Sequence, residues 1–182
     1  MRKIFVFMNV SLDGRIATPD NDVSVFHSDF EAFPGGGDNP VDTLLFGHTT
    51  YEMMKFWSTP QGEAMQPEIA RFMNERHKYV ASHNAFEPGW HNVTVLTGDV
   101  AGQVRQMKSG PGGTIAIFGS NTLCVTLIEA GLIDEFHVVV NPVVLGDGPS
   151  LFAGLPNKAA MTLSDTRQFK SGAVQLTYTP VS

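Results

Sequence analysis

Residues 114–152, TIAIFGSNTLCVTLIEAGLIDEFHVVVNPVVLGDGPSLF, decide the fold of this chain. The stretch opens with apolar residues, a pattern typical of a buried strand. Across 123–128 the apolar residues recur at helical spacing, and Gly131 stands where a glycine commonly ends a helix. A second apolar run, 136–140, follows at once. The stretch therefore predicts a strand, a helix and another strand, with a connection long enough to join parallel strands.

The turn between the first strand and the helix, Gly119-Ser120-Asn121-Thr122, consists of small residues. Such a turn lets a phosphate approach the helix N-terminus, where free N–H groups and the helix dipole favour an anion. The first hypothesis is therefore a nucleotide-phosphate site at this turn. A tight loop that only caps the helix is the alternative, and the chain has neither a G-x-G-x-x-G nor a P-loop motif to decide between them.

The composition is that of a compact globular protein, with 182 residues of which 42% are apolar and 16% charged. We interpret residues 1–182 as a single domain. A net charge of -6 argues against nucleic acid or a membrane surface as the partner. The N-terminus is predicted to be a strand, no apolar run is long enough to span a membrane, and one cysteine cannot form a disulfide within the chain. We expect a soluble, cytoplasmic protein.

The rest of the chain alternates strand and helix patterns and then ends in a β pair. After the apolar run at 43–46, Thr49 and Glu52 match a capping box, in which a threonine N-cap is followed three residues later by a glutamate. Strands are predicted at 3–10, 43–46, 78–81 and 93–96, helices at 26–33, 65–76 and 99–108, and a terminal antiparallel hairpin at 160–164 and 174–178. The predicted fold is α/β: a three-layer sandwich whose central, mostly parallel mixed sheet is flanked by helices and closed by the antiparallel hairpin.

Ligands of open parallel sheets bind outside the carboxyl ends of the strands. Five segments follow predicted strands and would gather at that edge: 9–17, 47–50, 82–83, 119–122 and 141–142. A groove with two helix N-termini suits a molecule with several phosphates. No metal site is expected, because the histidine and cysteine spacing fits no zinc motif, and no G-x-S-x-G nucleophile elbow occurs. Cys124 is interpreted as a packing residue and Asp13 as a turn residue.

Five motifs in this order resemble the dihydrofolate reductase-like superfamily, in the branch related to the C-terminal reductase domain of the bacterial riboflavin biosynthesis protein. They are NVSLDGRIA at 9–17, DTLLFGHTTYE at 42–52, IFGSNTL at 117–123, LIEAGLIDEF at 127–136 and NPVVLGDGPSLF at 141–152. The resemblance covers nearly the whole chain. It implies an NADPH-dependent reductase, often a homodimer, that acts on a small heterocycle.

The resemblance also implies roles for single residues. The cofactor phosphates would be held by Gly47, His48, Thr49 and Thr50 and, on the pyrophosphate side, by Gly119, Ser120, Asn121 and Thr122. The adenosine 2′-phosphate would be received by Ser82 and His83, and the nicotinamide would be lined by Ile16 and Ala17. On the substrate side we expect Asn9, Phe26 and Asn141.

Four positions depart from the family pattern. His48 and His83 stand where basic side chains are common, and a neutral imidazole pairs with a phosphate dianion less well than a guanidinium. NADPH is therefore the expected cofactor, with NADH left open. Ser120 replaces a second glycine, which is tolerable if its φ is negative, and Phe26 replaces a frequent tryptophan.

The proton donor is not marked by a motif. A buried carboxylate with a raised pKa would suit the protonation of a pterin, and Asp29 and Glu31 lie in the right neighbourhood, although a solvated helix face explains both equally well. A pterin, a folate and a ribosylaminopyrimidine all remain possible substrates. The zinc-deaminase signature of the two-domain relative is missing from this chain. A ligand-binding protein that kept the groove and lost catalysis is the alternative function.

Overall fold

The computed structural model describes residues 1–26, 32–33 and 41–181. These residues form one eight-stranded mixed sheet. Its strands in chain order are β1 (Ile4–Ser11), β2 (Val41–Gly47), β3 (His77–Ala81), β4 (Val93–Leu96), β5 (Thr114–Ile117), β6 (Glu135–Asn141), β7 (Met161–Gln168) and β8 (Val174–Pro180). The spatial order is β4-β3-β2-β5-β1-β6-β8-β7, with β4 through β6 parallel and β8 and β7 antiparallel. The predicted fold class, including the terminal hairpin, is confirmed.

Helices cover both faces of the sheet. They are α1 (His48–Met54), α2 (Pro60–Met65), α3 (Pro67–Glu75), α4 (Val100–Ser109) and α5 (Asn121–Glu129), with a 3₁₀ turn at Lys55–Ser58. The predicted unit in 114–152 is β5, α5 and β6, and its two strands flank β1 on either side. β1 therefore lies in the middle of the parallel part of the sheet.

Alternate side chains of β1 enter two separate cores. Phe5 and Phe7 point to one face, where they join Phe72 and Met73 of α3. Ile4 and Val6 point to the other face, where α4 and α5 supply the packing side chains, among them Leu127. Both faces of β1 are thus buried, as its almost wholly apolar sequence predicts. The molecule consequently has three layers.

The end of α5 is formed by Gly131, as the sequence predicts. Its φ is +64°, a left-handed conformation that glycine adopts without a side-chain penalty. The Gly131 N–H donates to the Ile128 carbonyl and the Leu132 N–H to the Leu127 carbonyl, both at 3.0 Å. This pair of hydrogen bonds is a Schellman motif, which satisfies the last carbonyls of the helix.

Two helix predictions are wrong in detail. The helix expected at 65–76 is α3, which begins only at Pro67. A residue before proline is driven out of the α region, and Gln66 has φ −144° and ψ 85°, so Met65 belongs to the end of α2 instead. The capping box at Thr49 is absent, since β2 runs through Gly47 and this glycine is the N-cap of α1. The helix predicted at 26–33 falls mostly on residues 27–31, which lie outside the described residues.

Candidate active site

The five segments that were expected to gather do follow strand ends on one edge of the sheet. The strands that precede them, β1, β2, β3, β5 and β6, are all parallel. Their carboxyl ends therefore face the same way, and the segments after them form one continuous rim. β3, β2, β5, β1 and β6 are consecutive in the sheet, so all five segments lie side by side.

The turns after β2 and β5 are in direct contact. The Gly47 N–H donates to the Gly119 carbonyl at 2.9 Å. A Cβ atom on Gly47 would lie 2.2 Å from the Ser120 Oγ, and one on Gly119 would lie 2.9 Å from the Cε of Met8. Gly119 also has a φ of +100°. Gly47 therefore needs to be glycine for space, and Gly119 for its backbone conformation.

The turn after β5 leads directly into α5. Ser120 is the N-cap residue, and its φ of −90° explains why serine can stand at this position. The first N–H groups of an α-helix have no acceptor within the helix, so α5 presents donors at the rim. The Asn121 side chain, however, points to another loop: its Nδ2 donates to the carbonyls of Ser150, Leu151 and Ala153 at 2.8–3.0 Å. Asn121 thus anchors this loop with its side chain, and Thr122 is exposed.

His48 forms the centre of a small cluster where β2 and β3 end. Its imidazole stacks on the Phe86 ring at 4.3 Å with an interplanar angle of 7°. Its Nδ1 lies 3.3 Å from the Ser82 Oγ, and its Nε2 lies 3.7 Å from a carboxylate oxygen of Glu52. His83 is exposed beside this cluster. No sequence pattern predicts the contact with Phe86, a loop residue whose ring packs on His48.

Asn9 and Asn141 meet at the ends of β1 and β6. The Asn141 Nδ2 lies 3.2 Å from the Asn9 Oδ1 and 3.1 Å from the Val139 carbonyl, and Asn141 is fully buried. The structure therefore joins two residues that were predicted to face the substrate. Asn9 is only partly buried, so of the two residues it is the one that a ligand could contact.

The loop after β1 is fastened to the loop after β6. The Asp13 carboxylate accepts from the N–H groups of Leu145 at 3.1 Å and Gly146 at 2.8 Å, and from the Ser11 hydroxyl at 2.6 Å. The Ser11 hydroxyl and then these N–H groups lower the pKa of Asp13 to about 2. Asp13 is therefore a bridging residue, which agrees with its interpretation as a turn residue and not as a proton donor.

The same two loops hold Ile16 and Ala17 in place. The Ile16 N–H donates to the Pro149 carbonyl at 2.9 Å. Gly148 packs so closely on Ala17 that a Cβ atom would lie 2.2 Å from the Ala17 carbonyl oxygen. Ala17 is buried and Ile16 is half-buried. The backbone of this segment is therefore fixed next to the strand ends.

Aromatic side chains line the face of the sheet next to the predicted substrate side. Phe33 contacts the rings of Phe7, Phe72 and Phe118 at centroid distances of 5.1–6.1 Å. Phe26 is buried. The two candidate proton donors, Asp29 and Glu31, lie outside the described residues.

Cys124 is fully buried in the α5 core, and burial raises the pKa of its thiol to about 12. A thiol that keeps its proton is not a nucleophile at neutral pH, so the packing interpretation is supported. Within 1–26, 32–33 and 41–181 no group of three or more His, Cys, Asp or Glu side chains could hold a metal ion. In the same residues no helix has the length and apolar character of a membrane span.

The fold is that of the dihydrofolate reductase class. It matches the dihydrofolate reductase of Enterococcus faecalis complexed with NADP(H) and RAB-propyl with a TM-score of 0.64 and 15% identity, covering 99% of this chain and 97% of that one. It also matches the diaminohydroxyphosphoribosylaminopyrimidine deaminase/5-amino-6-(5-phosphoribosylamino)uracil reductase of Thermotoga maritima with a TM-score of 0.72 and 12% identity. That match covers 99% of this chain and 57% of the Thermotoga chain.

The chain belongs to the RibD C-terminal domain family, whose model matches residues 2–175. It is 33% identical over 184 residues to the uncharacterized protein YwjB of Bacillus subtilis (strain 168), covering 97% of each chain. The resemblance inferred from the five sequence motifs is confirmed.

Proposed function

We propose that this protein is a reductase that binds NADPH along the carboxyl edge of its sheet and passes hydride to a flat heterocycle of pterin, folate or ribosylaminopyrimidine type. The observation that carries the proposal is the contact between the β2 and β5 turns, where Gly47 and Gly119 let the backbones of the two turns pack directly against each other. Membership of the RibD C-terminal domain family and the likeness to two reductases support it.

The rim residues fit a dinucleotide with several phosphates. Donors at the start of α5 and the backbone of Gly119 and Ser120 would hold the pyrophosphate. Thr50 is buried against Gly119, so the exposed Thr49 hydroxyl is the one free to reach a phosphate oxygen. The remaining proposed contacts are Gly47, His48, Asn121 and Thr122 for the phosphates, Ser82 and His83 for the 2′-phosphate, and Ile16 and Ala17 for the nicotinamide.

The nicotinamide supplies the hydride when it is bound, and the chain supplies orientation and a proton. Asn9 and Phe26 would border the heterocycle, and Asn141 would act through its contact to Asn9. We propose Asp29 or Glu31 as the proton donor. A homodimer stays a prediction from the resemblance, and a cytoplasmic location stays a prediction from the sequence.

Binding of the cofactor is the direct test. Titration of the protein with NADPH, followed by nicotinamide fluorescence, should give saturable binding. Thr49→Val should weaken it roughly tenfold, because a hydrogen bond to a charged phosphate is lost. Thr162→Val, at an exposed position of β7, is the matched control and should bind as the wild type does.

The outcomes separate the proposal from its alternative. NADPH oxidation with dihydrofolate, a dihydropterin or a ribosylaminopyrimidine as acceptor would identify the substrate class. Cofactor binding without turnover of any of these acceptors would favour a ligand-binding protein. Failure to bind either NADPH or NADH would refute the proposed function.

A further inference from the structure

The loop between β6 and β7 connects two parts of the proposed cofactor site. Its residues 142–153 belong to no helix or strand. Residues 148–150 of the loop lie against segment 15–17, which follows β1, and residues 150–153 lie against the N-terminus of α5. The loop therefore touches both the segment proposed to line the nicotinamide and the helix end proposed to hold the pyrophosphate.

Asn121 belongs to the helix end and also holds the loop. As the first residue of α5, it presents its backbone N–H where the N–H groups have no acceptor within the helix. Its side-chain Nδ2 donates to the carbonyls of Ser150, Leu151 and Ala153 at 3.0, 2.8 and 2.9 Å. An amide NH₂ group has two hydrogens, so three carbonyls already share both of them. The side-chain donors of Asn121 are thus taken up by the loop, and its backbone N–H is the group that faces the phosphate side.

The loop reaches segment 15–17 at the same place where Asn121 holds it. Ser150, whose carbonyl accepts from Asn121, also forms an antiparallel bridge with Arg15. The carbonyl of the preceding residue, Pro149, accepts from the Ile16 N–H at 2.9 Å. Ser150 and Pro149 therefore connect the Asn121 amide directly to the backbone of the proposed nicotinamide segment.

Further contacts make this connection rigid. A Cβ atom on Gly148 would lie 2.2 Å from the Ala17 carbonyl oxygen, so the two backbones pack tightly together. The Arg15 guanidinium donates to the Gly148 carbonyl at 3.1 Å. The Leu151 side chain is buried in the core beneath α5. Leu151 would keep the loop on the protein without the Asn121 amide, but the amide fixes where the loop backbone lies.

We infer that Asn121 is a positioning residue, whose side chain sets the place of segment 15–17 relative to the phosphate-binding turn. The inference rests on the proposed cofactor site. The backbone of Asn121 serves the pyrophosphate, and its side chain holds Ile16 and Ala17 through Ser150 and Pro149. Hydride transfer needs the nicotinamide in one orientation, and a displacement of about 1 Å can slow such a reaction about 100-fold.

The test compares NADPH with 2′-phospho-ADP-ribose, which has the same adenosine 2′-phosphate and pyrophosphate but no nicotinamide. Isothermal titration calorimetry of the full chain measures both affinities. Asn121→Ala should weaken NADPH binding about fivefold, because the nicotinamide loses contacts with a displaced segment, and should change 2′-phospho-ADP-ribose binding by less than about twofold. At saturation, NADPH fluorescence should be enhanced less by Asn121→Ala than by the wild type, because the ring is held less rigidly.

Two further variants make the result specific. Gly148→Ala places a methyl group against the Ala17 carbonyl and displaces the same segment from the loop side. It should therefore also weaken NADPH binding more than 2′-phospho-ADP-ribose binding. Asn157→Ala removes the carboxamide of an exposed residue outside 142–153 and should bind both ligands as the wild type does. Thermal unfolding shows which variants are folded.

Each contrary outcome has a distinct meaning. Equal weakening of both ligands in Asn121→Ala would overturn the inference, because the side chain would then contact the phosphates. An unchanged affinity for NADPH would overturn it as well. If Asn121→Ala does not fold, the same two results in Gly148→Ala would overturn it. Failure of the wild type to bind either NADPH or NADH would instead refute the proposed function, and if it binds only NADH, ADP-ribose replaces the phosphorylated fragment in the comparison.

Discussion

Gly47 and Ser120 are in close contact at the candidate site. The φ of −75° and ψ of 158° at Gly47 are open to any residue, so the backbone alone does not require glycine. The lack of space requires glycine, because a Cβ atom at position 47 would lie 2.2 Å from the Ser120 Oγ and 2.9 Å from the Ser120 Cβ. The two turns that would hold the cofactor phosphates can approach only because Gly47 lacks a side chain.

Gly47→Ala should therefore destabilise the protein and weaken NADPH binding. Separation of the two turns should reduce the free energy of unfolding by about 1–3 kcal/mol, the usual effect of overpacking. Ser120→Gly in the same chain removes the two closest atoms and should restore most of the loss. Urea unfolding and NADPH titration of the two single variants and the double variant would measure this coupling.

Gly110→Ala is the matched control, because Gly110 also has a negative φ and a new Cβ would lie 3.5 Å from its nearest neighbour. It should leave stability within a few tenths of a kcal/mol of the wild type or slightly improve it. If Ser120→Gly gives no rescue of Gly47→Ala, the steric explanation for the glycine is wrong.

Among the elements, α3 ends against a buried lysine. Lys78 of β3 is fully buried, and its Nζ donates to the carbonyls of Met73 at 2.9 Å, Asn74 at 3.3 Å and Arg76 at 2.7 Å. The same Nζ lies 4.6 Å from the centroid of the Trp90 ring. One side chain thus satisfies carbonyls at the C-terminus of α3, where the helix dipole favours a cation, and joins the helix to the sheet.

Lys78→Met should reduce the free energy of unfolding by about 2–4 kcal/mol, because the carbonyls at the end of α3 lose their donor inside the protein. Thermal and urea unfolding at pH 7 would measure the loss. Lys158→Met, at an exposed position, controls for the change in net charge. A loss equal to that of the control would show that the three hydrogen bonds contribute nothing to stability.

The same lysine gives stability a pH dependence. Burial lowers the pKa of Lys78 to about 8 from the ordinary value of 10.5, so between these values the unfolded chain binds more protons than the folded one. Stability contributed by this group therefore rises as the pH increases through that interval. The difference in unfolding free energy between wild type and Lys78→Met should grow from pH 8 to pH 10. If the difference in unfolding free energy does not change between pH 8 and pH 10, the lowered pKa of Lys78 is contradicted.

For the whole molecule, the sheet and the edge at which its parallel strands end follow from the sequence, whereas contacts between loops do not. Apolar runs separated by helical patterns predict parallel strands, and parallel strands end at the same edge of the sheet. Phe86 and Asn121, by contrast, act on residues distant in sequence, and no local pattern marks such partners. The capping box at Thr49 failed for a related reason, since β2 continues to Gly47 and sets the start of the helix.

Asp13 joins the loops that follow β1 and β6, and its contribution to stability should depend on pH. Its pKa in the folded state, about 2, lies below the ordinary value of 3.8, so its stabilising effect is complete above that value and is lost as the pH falls towards 2. Asp13→Asn should therefore be less stable than the wild type at pH 5, with a difference that shrinks towards pH 2.5 in urea unfolding. Asp20→Asn removes an exposed carboxylate that contacts Thr18 in its own loop, and so controls for net charge. Equal differences at pH 5 and pH 2.5 for Asp13→Asn would show that the ionised carboxylate does not hold the loops together.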